Sequence, residues 1–262
     1  MITPASLAAA HALLRAKRPL VHNLTNAVVA NFTANALLAL GAAPAMAEGS
    51  DEVEAFAASA DAVVVNLGML TPERAAIMRA AVNAAVAAGK PWALDPVGVG
   101  AIAPRTVFAQ DLCRLRPTAI RGNASEILGL AGEAGGGRGV DSGADSDAAV
   151  AAARRLARAT GAVVAVTGAV DYVTDGTRLL ALHNGHPLMT RVTGMGCAAT
   201  AIVGACLALG GDALAGVAHA LAITGIAGEM AARIARGPGS MQVEFLDILP
   251  VLDHAQLRAV LY

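Results

Sequence analysis

A turn rich in glycine stands immediately before a long apolar stretch in the last third of the chain. It reads "VTGMGC" at positions 192–197 and contains Gly194, Met195, Gly196 and Cys197. The N-terminus of a helix offers unpaired N–H groups and partial positive charge, and glycine lets an anion approach the backbone closely. The pattern predicts an anion hole in which the amides of Gly194, Met195 and Gly196 converge on a phosphoryl group. A glycine-rich loop that only enters a core helix fits the same local pattern.

Cys197 falls on the first turn of the predicted helix. The helix dipole there is expected to lower the pKa of a thiol below its reference value of about 8.5, so that the side chain can act as a base or a nucleophile. The alternative is a small buried apolar side chain, the usual state of a free cysteine. Cys206 follows nine residues later. At about 100° per residue it lies on the opposite helix face, so we expect it in the core.

Two carboxylates also stand near turn signals. Asp95 follows a strand-like run in "LDPVGVG", and Glu126 lies in "RGNASEI". Carboxylate oxygens suit Mg²⁺, which is commonly held by one or two of them together with phosphates. Asn123 and Glu126 equally match an ordinary capping box at a helix start. Arg121, just before them, is either a phosphate partner or a surface charge.

A polar cluster near the N-terminus, within "VHNLTNAVVANF", stands at a predicted strand-to-helix turn. Thr25 or Asn26 is expected to be the N-cap of the helix. His22 is expected to be a structural or exposed residue and not a ligand. A site for a small heteroaromatic alcohol would use Asn26 for orientation and Met46 as an adaptable apolar contact.

The elements that must position these residues alternate between strand and helix. Runs rich in β-branched residues at 61–68, 91–100 and 161–168 end in turn signals and precede alanine-rich helical patterns. A helix is expected from Thr71 as N-cap to Gly89 as stop. The alternation predicts an α/β fold with a mostly parallel sheet covered on both faces, in one domain over residues 1–262.

The pattern changes after Asp171, where an Asp-Gly and an Asn-Gly punctuate short strand-like runs and predict an antiparallel edge. Helices are expected over 197–209 and 213–236. The glycine-rich segment 131–147 is expected to be a surface loop.

Composition favours a small-molecule partner. Lys plus Arg (19) nearly balances Asp plus Glu (20), and aromatic residues are only 3%, so no electrostatic or stacking footprint for nucleic acid is present. The uncharged stretch 194–211 meets the membrane-span threshold of about 18 residues, but its glycine turn and alanine content favour a core helix and no membrane partner. The N-terminus lacks a signal-peptide pattern. Three cysteines without metal-ligand spacing agree with a reducing, cytoplasmic location.

The common nucleotide and hydrolase fingerprints are missing. The Gly89-Lys90 pair is followed by Pro91, so no P-loop motif exists. No glycine-rich stretch gives a convincing dinucleotide-binding motif after a strand, and no nucleophile-elbow motif is present.

Taken together, the stretches "VHNLTNAVVANFTANALLALGAAPAMAEG", "NLGML", "ALDPVGVGA", "IRGNASEI", "AVTGAVDYVTDG" and "RVTGMGCAATAIVGA" resemble the hydroxyethylthiazole kinase family. The resemblance runs from about residue 20 to residue 245. It implies a three-layer α/β/α ribokinase-like fold and a homotrimer with active sites between subunits. It also implies ATP- and Mg²⁺-dependent phosphorylation of the primary hydroxyl of 4-methyl-5-(2-hydroxyethyl)thiazole.

The resemblance assigns roles on the acceptor side of the site. Met46 corresponds to a thiazole contact and Gly194 to a contact of the thiazole alcohol. Asn26 and Gly68 are expected to line the same pocket. Cys197 occupies the position at which ribokinase-like enzymes more often have an aspartate base, which puts the identity of the base in doubt.

On the nucleotide side, the resemblance makes Arg121 and Thr167 ATP contacts. Asp95 and Glu126 fall where the family has acidic residues near the metal and the phosphates. The alternatives are a related kinase of hydroxymethylpyrimidine or pyridoxal, an ATP-dependent dehydratase of hydrated NAD(P)H, and a non-catalytic nucleotide sensor.

Overall fold

A computed structural model describes residues 2–133 and 146–262, with only the backbone for 146–148. Most of the predicted loop at 131–147 therefore lies outside the described residues. Within the described part, nine strands form one sheet. The strands are β1 Leu20–Leu24, β2 Ala43–Ala45, β3 Ala62–Asn66, β4 Trp92–Asp95, β5 Ala119–Asn123, β6 Val163–Thr167, β7 Asp171–Thr174, β8 Leu179–Leu182 and β9 Ala259–Leu261.

The strands lie in the order β2-β1-β3-β4-β5-β6-β7-β8-β9. The first six positions are joined by parallel pairs and the last three by antiparallel pairs. Asn66 pairs with Asp95, and Asn123 with Thr167. This register brings the last residues of four neighbouring strands to one edge of the sheet, where parallel sheets bind ligands.

Ten helices cover the two faces of the sheet in the described part. They are α1 Pro4–Lys17, α2 Ala30–Leu40, α3 Val53–Ser59, α4 Pro72–Ala87, α5 Ala103–Cys113, α6 Ala124–Leu130, α7 Ser146–Thr160, α8 Met195–Leu207, α9 Ala213–Ile234 and α10 Pro238–Ile248. Helices α1, α2, α8, α9 and α10 share one apolar core with the sheet, and α3 to α7 share the other. The three-layer α/β/α prediction is confirmed.

Alternate residues of each strand face opposite cores, as the pleat requires. Val64 of β3 packs in the core under α8, whereas Val63 and Val65 pack in the core under α4. Because both faces are covered, the parallel strands are mostly apolar, and most of their polar residues stand toward their C-terminal ends.

Helix α8 lies against the centre of the sheet and contacts β1, β3, β4 and β5. Its small residues allow this close approach. A Cβ atom on Gly204 would stand 2.5 Å from Cγ2 of Val64. Cys206 is buried, as expected for a core residue.

Several predicted elements are confirmed. Helix α4 begins after Thr71, whose side chain accepts a hydrogen bond from the Arg74 amide at 3.2 Å. Strands β7 and β8 form the antiparallel hairpin, with Gly176 at a positive φ of 94° in its turn.

Two helix starts differ from prediction, and two elements were not predicted. Helix α8 begins at Met195 instead of Cys197, because Gly194 adopts a φ of 91° and caps the helix from outside. The predicted cap of α2 is wrong: Val29 precedes its first residue, and the Asn26 carbonyl accepts from the amides of Val29 and Ala30 in a turn. Strand β9 and helix α10 were not predicted; Pro238 starts α10 directly after α9 ends.

The apolar helices are core helices. Helix α8 has 13 residues and is buried from Ala198 to Leu207. Helix α9 is long and apolar enough to cross a bilayer, but 72% of its most apolar stretch is buried inside the protein. Burial of this kind is typical of the central helix of a globular fold.

Candidate active site

The N-terminus of α8 faces the polar edge of the sheet. No oxygen among the described residues accepts a hydrogen bond from the amides of Gly196 or Cys197. A side chain at Gly196 would displace the Arg121 guanidinium, since a Cβ atom would stand 2.7 Å from Nη1 of Arg121. Unpaired amides at a helix N-terminus and a neighbouring guanidinium both attract an anion, so together they form a candidate anion site.

Arg121 in the middle of β5 reaches Thr167, the last residue of the neighbouring strand β6. Nη2 of Arg121 donates to the Thr167 hydroxyl at 2.5 Å, and that hydroxyl can donate to the Gly122 carbonyl at 3.3 Å. Nε of Arg121 is buried without a partner. The two residues expected to contact the nucleotide are thus brought together, with donor capacity still unused.

Asp95 is buried at the end of β4, with 1% of its surface exposed. Its Oδ2 accepts from Nδ2 of Asn66 at 2.8 Å and from the Thr200 hydroxyl at 2.9 Å. Burial raises the pKa of this carboxyl to about 7, against the opposing effect of the Arg121 charge; the nearby Glu126 adds to the rise. No described donor reaches Oδ1, the oxygen that stays available to a cation.

Glu126 forms the capping box of α6. Its Oε2 accepts from the Asn123 amide at 2.9 Å, and Oδ1 of Asn123 accepts from the Glu126 amide at 2.9 Å. Oε1 accepts from the Gly98 amide at 3.0 Å. Burial raises the pKa of Glu126. The capping geometry therefore exists, and a role at a metal stays a prediction.

The described residues do not form a metal site made of protein side chains alone. Within residues 2–133 and 146–262, no three His, Cys, Asp or Glu side chains could hold an ion together. Mg²⁺ does not need such a set, because it keeps water ligands and is bridged to phosphates by one or two carboxylates. Asp95 and Glu126 beside the α8 helix end match that pattern.

The Cys197 sulfur lies among amide donors. Sγ accepts from Nδ2 of Asn66 at 3.1 Å, and Nδ2 of Asn26 stands at 4.0 Å. The predicted lowering of the thiol pKa is wrong. Burial, reinforced by the Asp95 carboxylate, raises the pKa of Cys197 to about 12. Loss of water around the sulfur outweighs the helix dipole, whose effect is modest.

On the acceptor side, Asn26 and Gly68 are in contact. Nδ2 of Asn26 donates to Oδ1 of Asn66 at 3.0 Å, and a Cβ atom on Gly68 would stand 2.5 Å from Nδ2 of Asn26. Met46 follows β2, two strands from β3, and does not join this cluster. Met46 is half-buried.

The segment after Met46 is held from two directions. Nε2 of His22, which is fully buried, donates to the Ala47 carbonyl at 2.7 Å. Arg74 donates to Glu48 at 2.8 Å and to the Thr25 carbonyl at 2.7 Å. The expectation of a structural role for His22 is confirmed, and these bonds fix the distance between the Met46 and Asn26 segments.

Sequence reasoning missed three polar residues of this site. They are Asn66, Thr200 and Asp171, whose Oδ1 accepts from the Gly168 amide at 3.0 Å. Burial raises the pKa of Asp171 to about 6. A signal existed for Asn66, which ends the strand "AVVVN" at the same level as Asp95. Thr200, within an apolar helix, carries no such signal.

The fold is ribokinase-like. A ribokinase-like superfamily protein from Enterococcus faecalis has a TM-score of 0.65 at 12% identity, with 92% of this chain and 89% of that chain covered. Pyridoxal kinase from Staphylococcus aureus has a TM-score of 0.63 at 17% identity, with 93% and 98% covered. Identities this low establish the shared fold alone.

The chain belongs to the hydroxyethylthiazole kinase family and is a phosphotransferase. The model of that family matches residues 12–255. Hydroxyethylthiazole kinase from Granulibacter bethesdensis is 62% identical over 94% of this chain and 90% of its own length, and the Klebsiella pneumoniae protein is 57% identical over 95% and 96%. The solved structure of hydroxyethylthiazole kinase from Pyrococcus horikoshii has a TM-score of 0.91 at 40% identity, covering 98% and 99%.

Proposed function

We propose that this protein uses ATP and Mg²⁺ to phosphorylate the primary hydroxyl of 4-methyl-5-(2-hydroxyethyl)thiazole. The observation that carries the proposal is the bare N-terminus of α8, with the unused amides of Gly196 and Cys197 beside Arg121. The kinase family and its 62% identical relative supply the acceptor. We further propose that residues 1–262 form a single kinase domain located in the cytoplasm.

The residues present fit a magnesium-bearing nucleotide. Arg121 has an unpartnered buried Nε, and Asp95 has one oxygen without a donor. Arg121 and Thr167 would hold the polyphosphate, and Asp95 with Glu126 would hold Mg²⁺. When bound, the metal offsets negative charge on the phosphate oxygens.

The chain's own groups act by placement and charge. Phosphoryl transfer through a loose transition state needs little covalent help from the protein. The amides of Gly196 and Cys197 would stabilise the equatorial oxygens of the transferred group, whereas the Met195 amide, predicted to join them, donates to the Val192 carbonyl at 3.4 Å. Asn26, Gly68 and Met46 would orient the thiazole so that its hydroxyl faces α8.

A base is secondary in this scheme. The Cys197 thiol, with a pKa of about 12, is protonated at neutral pH. It therefore cannot serve as a preformed thiolate base. General acid–base catalysis typically contributes about 10² to 10⁴-fold, which leaves most of the rate to alignment and electrostatic stabilisation.

We also propose a homotrimer with active sites between neighbouring subunits. Exposed apolar side chains flank the acceptor side: Val28, close to Asn26, is 69% exposed, and Met69, next to Gly68, is 49% exposed. A partner subunit there would cover them and close the pocket around Met46. Sedimentation velocity is expected to give three times the chain mass; a monomer at micromolar concentration would contradict this part of the proposal.

The decisive experiment measures phosphorylated product by mass spectrometry. ATP is supplied with the thiazole alcohol, hydroxymethylpyrimidine or pyridoxal in parallel, with and without a chelator. The thiazole alcohol is expected to give the highest kcat/KM, and chelation to abolish turnover. Asp95→Asn should lower activity far more than Asp111→Asn, a change at a half-exposed ion pair with Arg79. Preferred turnover of another acceptor, or of hydrated NAD(P)H, would contradict the proposal.

A further inference from the structure

Asn66 uses every hydrogen-bonding group of its side chain. It is the last residue of β3 and is 1% exposed. Its amide group makes four hydrogen bonds, to Asn26, Gly68, Asp95 and Cys197. A buried amide with all its hydrogen bonds made has one orientation, because a flip that exchanges its oxygen and nitrogen would place the NH₂ group against other donors.

The backbone fixes which way this amide faces. Oδ1 accepts from the Gly68 amide at 3.0 Å, and a main-chain N–H cannot become an acceptor. Nδ2 of Asn26 donates to the same oxygen at 3.0 Å. The nitrogen of Asn66 must therefore face the other side, toward Asp95 and Cys197.

The two protons on Nδ2 determine what their partners can do. One points to Oδ2 of Asp95 at 2.8 Å and the other to Sγ of Cys197 at 3.1 Å. The sulfur thus accepts a hydrogen bond, and its own hydrogen has no acceptor among the described side chains and carbonyls. Oδ2 of Asp95 also accepts from Thr200, which leaves Oδ1 free.

We propose that Asn66 is a positioning residue that turns the Cys197 thiol hydrogen and Oδ1 of Asp95 toward the space in front of α8. The inference rests on the proposed function, in which that space holds the acceptor hydroxyl and the metal-bearing phosphate. The amide also joins the two acidic groups, since one of its protons goes to Asp95 and the other to Cys197.

The S–H stretching band of Cys197 tests this orientation without turnover. In the ligand-free parent, the band is expected at the frequency of a thiol that donates no hydrogen bond. It is identified by its loss in Cys197→Ala, and the bands of Cys113 and Cys206 are internal references. A hydrogen bond donated by a thiol weakens the S–H bond and lowers its frequency.

Asn66→Asp replaces the donor near the sulfur by an oxygen of equal size. The introduced carboxyl shares a proton with Asp95 across their close contact. The oxygen that faces the sulfur keeps a lone pair, so the thiol donates to it and the band moves to lower frequency. If the band is already low in the parent and Asn66→Asp leaves it unchanged, the amide faces the other way and the proposal is wrong.

Separate effects on kcat and KM distinguish a positioning role of Asn66 from a general loss of folding. Asn66→Asp keeps the acceptor for Gly68 and Asn26 and the shared proton with Asp95 but loses the donor to Cys197, so kcat should fall about 10- to 100-fold, on the order of one strong hydrogen bond. KM for the thiazole alcohol should change less than about threefold. Asn66→Ala loses both the acceptor oxygen and the donor nitrogen, and it should raise KM as well.

Asn23→Ala is the matched control. Asn23 is a buried asparagine on the neighbouring strand β1 whose Nδ2 donates to the Val21 carbonyl, away from Asp95 and Cys197. Parental kcat in Asn66→Asp, or an equal loss in Asn23→Ala, would overturn the positioning role. If the parent phosphorylates no thiazole alcohol at all, the proposed function fails, while the S–H band still decides the orientation of Asn66.

Discussion

Cys197 and Asp95 lie a few ångströms apart through Asn66, yet burial moves both toward their neutral forms. It raises the pKa of the thiol to about 12 and that of the carboxyl to about 7. A neutral thiol cannot take a proton from an alcohol at neutral pH. Individual side chains of this site therefore contribute through position and hydrogen-bond direction.

Replacing Cys197 tests that conclusion. Cys197→Ala should retain measurable kinase activity, because the helix-end amides and Arg121 remain. Cys197→Asp should equal or exceed the parent, since Nδ2 of Asn66 would donate to the new carboxylate. Steady-state rates with the thiazole alcohol measure both, and complete inactivity of both variants would show that the thiol is indispensable.

A methyl group at Gly196 should damage nucleotide binding selectively. Gly196→Ala places Cβ 2.7 Å from Nη1 of Arg121 and displaces the guanidinium. We expect a rise in KM for ATP of about tenfold or more, since two charged contacts are disturbed. Gly239→Ala, which has open space around it, is the control and should leave KM unchanged. Equal KM values in both variants would contradict the model of the anion site.

At the scale of elements, α8 must lie close to β3 for its N-terminus to reach the ends of the strands. Small residues make that approach possible: Gly204 meets Val64 and Val21 where any side chain would collide. The alanine content of the chain thus has a mechanical explanation, because helices of small residues pack near the sheet without gaps.

Alanine substitutions at two helical glycines distinguish the effect of packing on stability from the effect of helix propensity. Gly204→Ala adds a Cβ atom 2.5 Å from Val64 and should destabilise the protein by about 1–3 kcal/mol. Gly216→Ala, in α9, adds a Cβ atom at an ordinary contact distance of 3.6 Å and should be neutral or stabilising by up to about 1 kcal/mol. Chemical denaturation measures both, and a stable Gly204→Ala protein would show that α8 can retreat from the sheet.

At the scale of the whole molecule, a histidine pair joins the first helix to the last segment of the chain. Nδ1 of His11 in α1 lies 2.9 Å from Nε2 of His254. Burial, with the nearby His254 and Arg15, lowers the pKa of His11 to about 4. Between pH 4 and the ordinary histidine value of about 6.5, the unfolded chain binds a proton that the folded protein refuses.

This pair predicts acid sensitivity of stability. The contribution of His11 to the free energy of unfolding should fall by up to about 3 kcal/mol as the pH decreases from 7 to 4, while the raised pKa values of Asp95 and Asp171 act in the opposite direction. His11→Gln should flatten that part of the profile, whereas His183→Gln, at an exposed position, should not. Denaturant titrations at several pH values measure the difference, and parallel profiles for parent and His11→Gln would contradict the assignment.

Much of this architecture is predictable from local patterns. Strands β3, β4 and β6, helix α4 and the β7–β8 hairpin are confirmed because their signals are local: β-branched runs, an N-cap followed by proline, and an Asp-Gly turn. The hydrogen bond between Arg121 and Thr167 is likewise consistent with their places on the neighbouring strands β5 and β6.

What the sequence does not predict depends on distant neighbours. The direction of the Cys197 pKa shift is set by burial and by Asp95, which stands on a strand far away in sequence. Asn66 and Thr200 become meaningful only when β3, β4 and α8 are packed together. Strand β9 has three residues, too few for a periodic signal, and exists through its pairing with β8.

The contact of Gly204 with Val21 and Val64 has a consequence for how activity appears during folding. It joins segments separated by most of the chain, and such non-local contacts form late because closing a long loop costs entropy. During refolding, helical circular dichroism should recover before kinase activity does. Kinase activity is therefore a measure of the last folding step, because the site is complete only when α8 packs against the sheet.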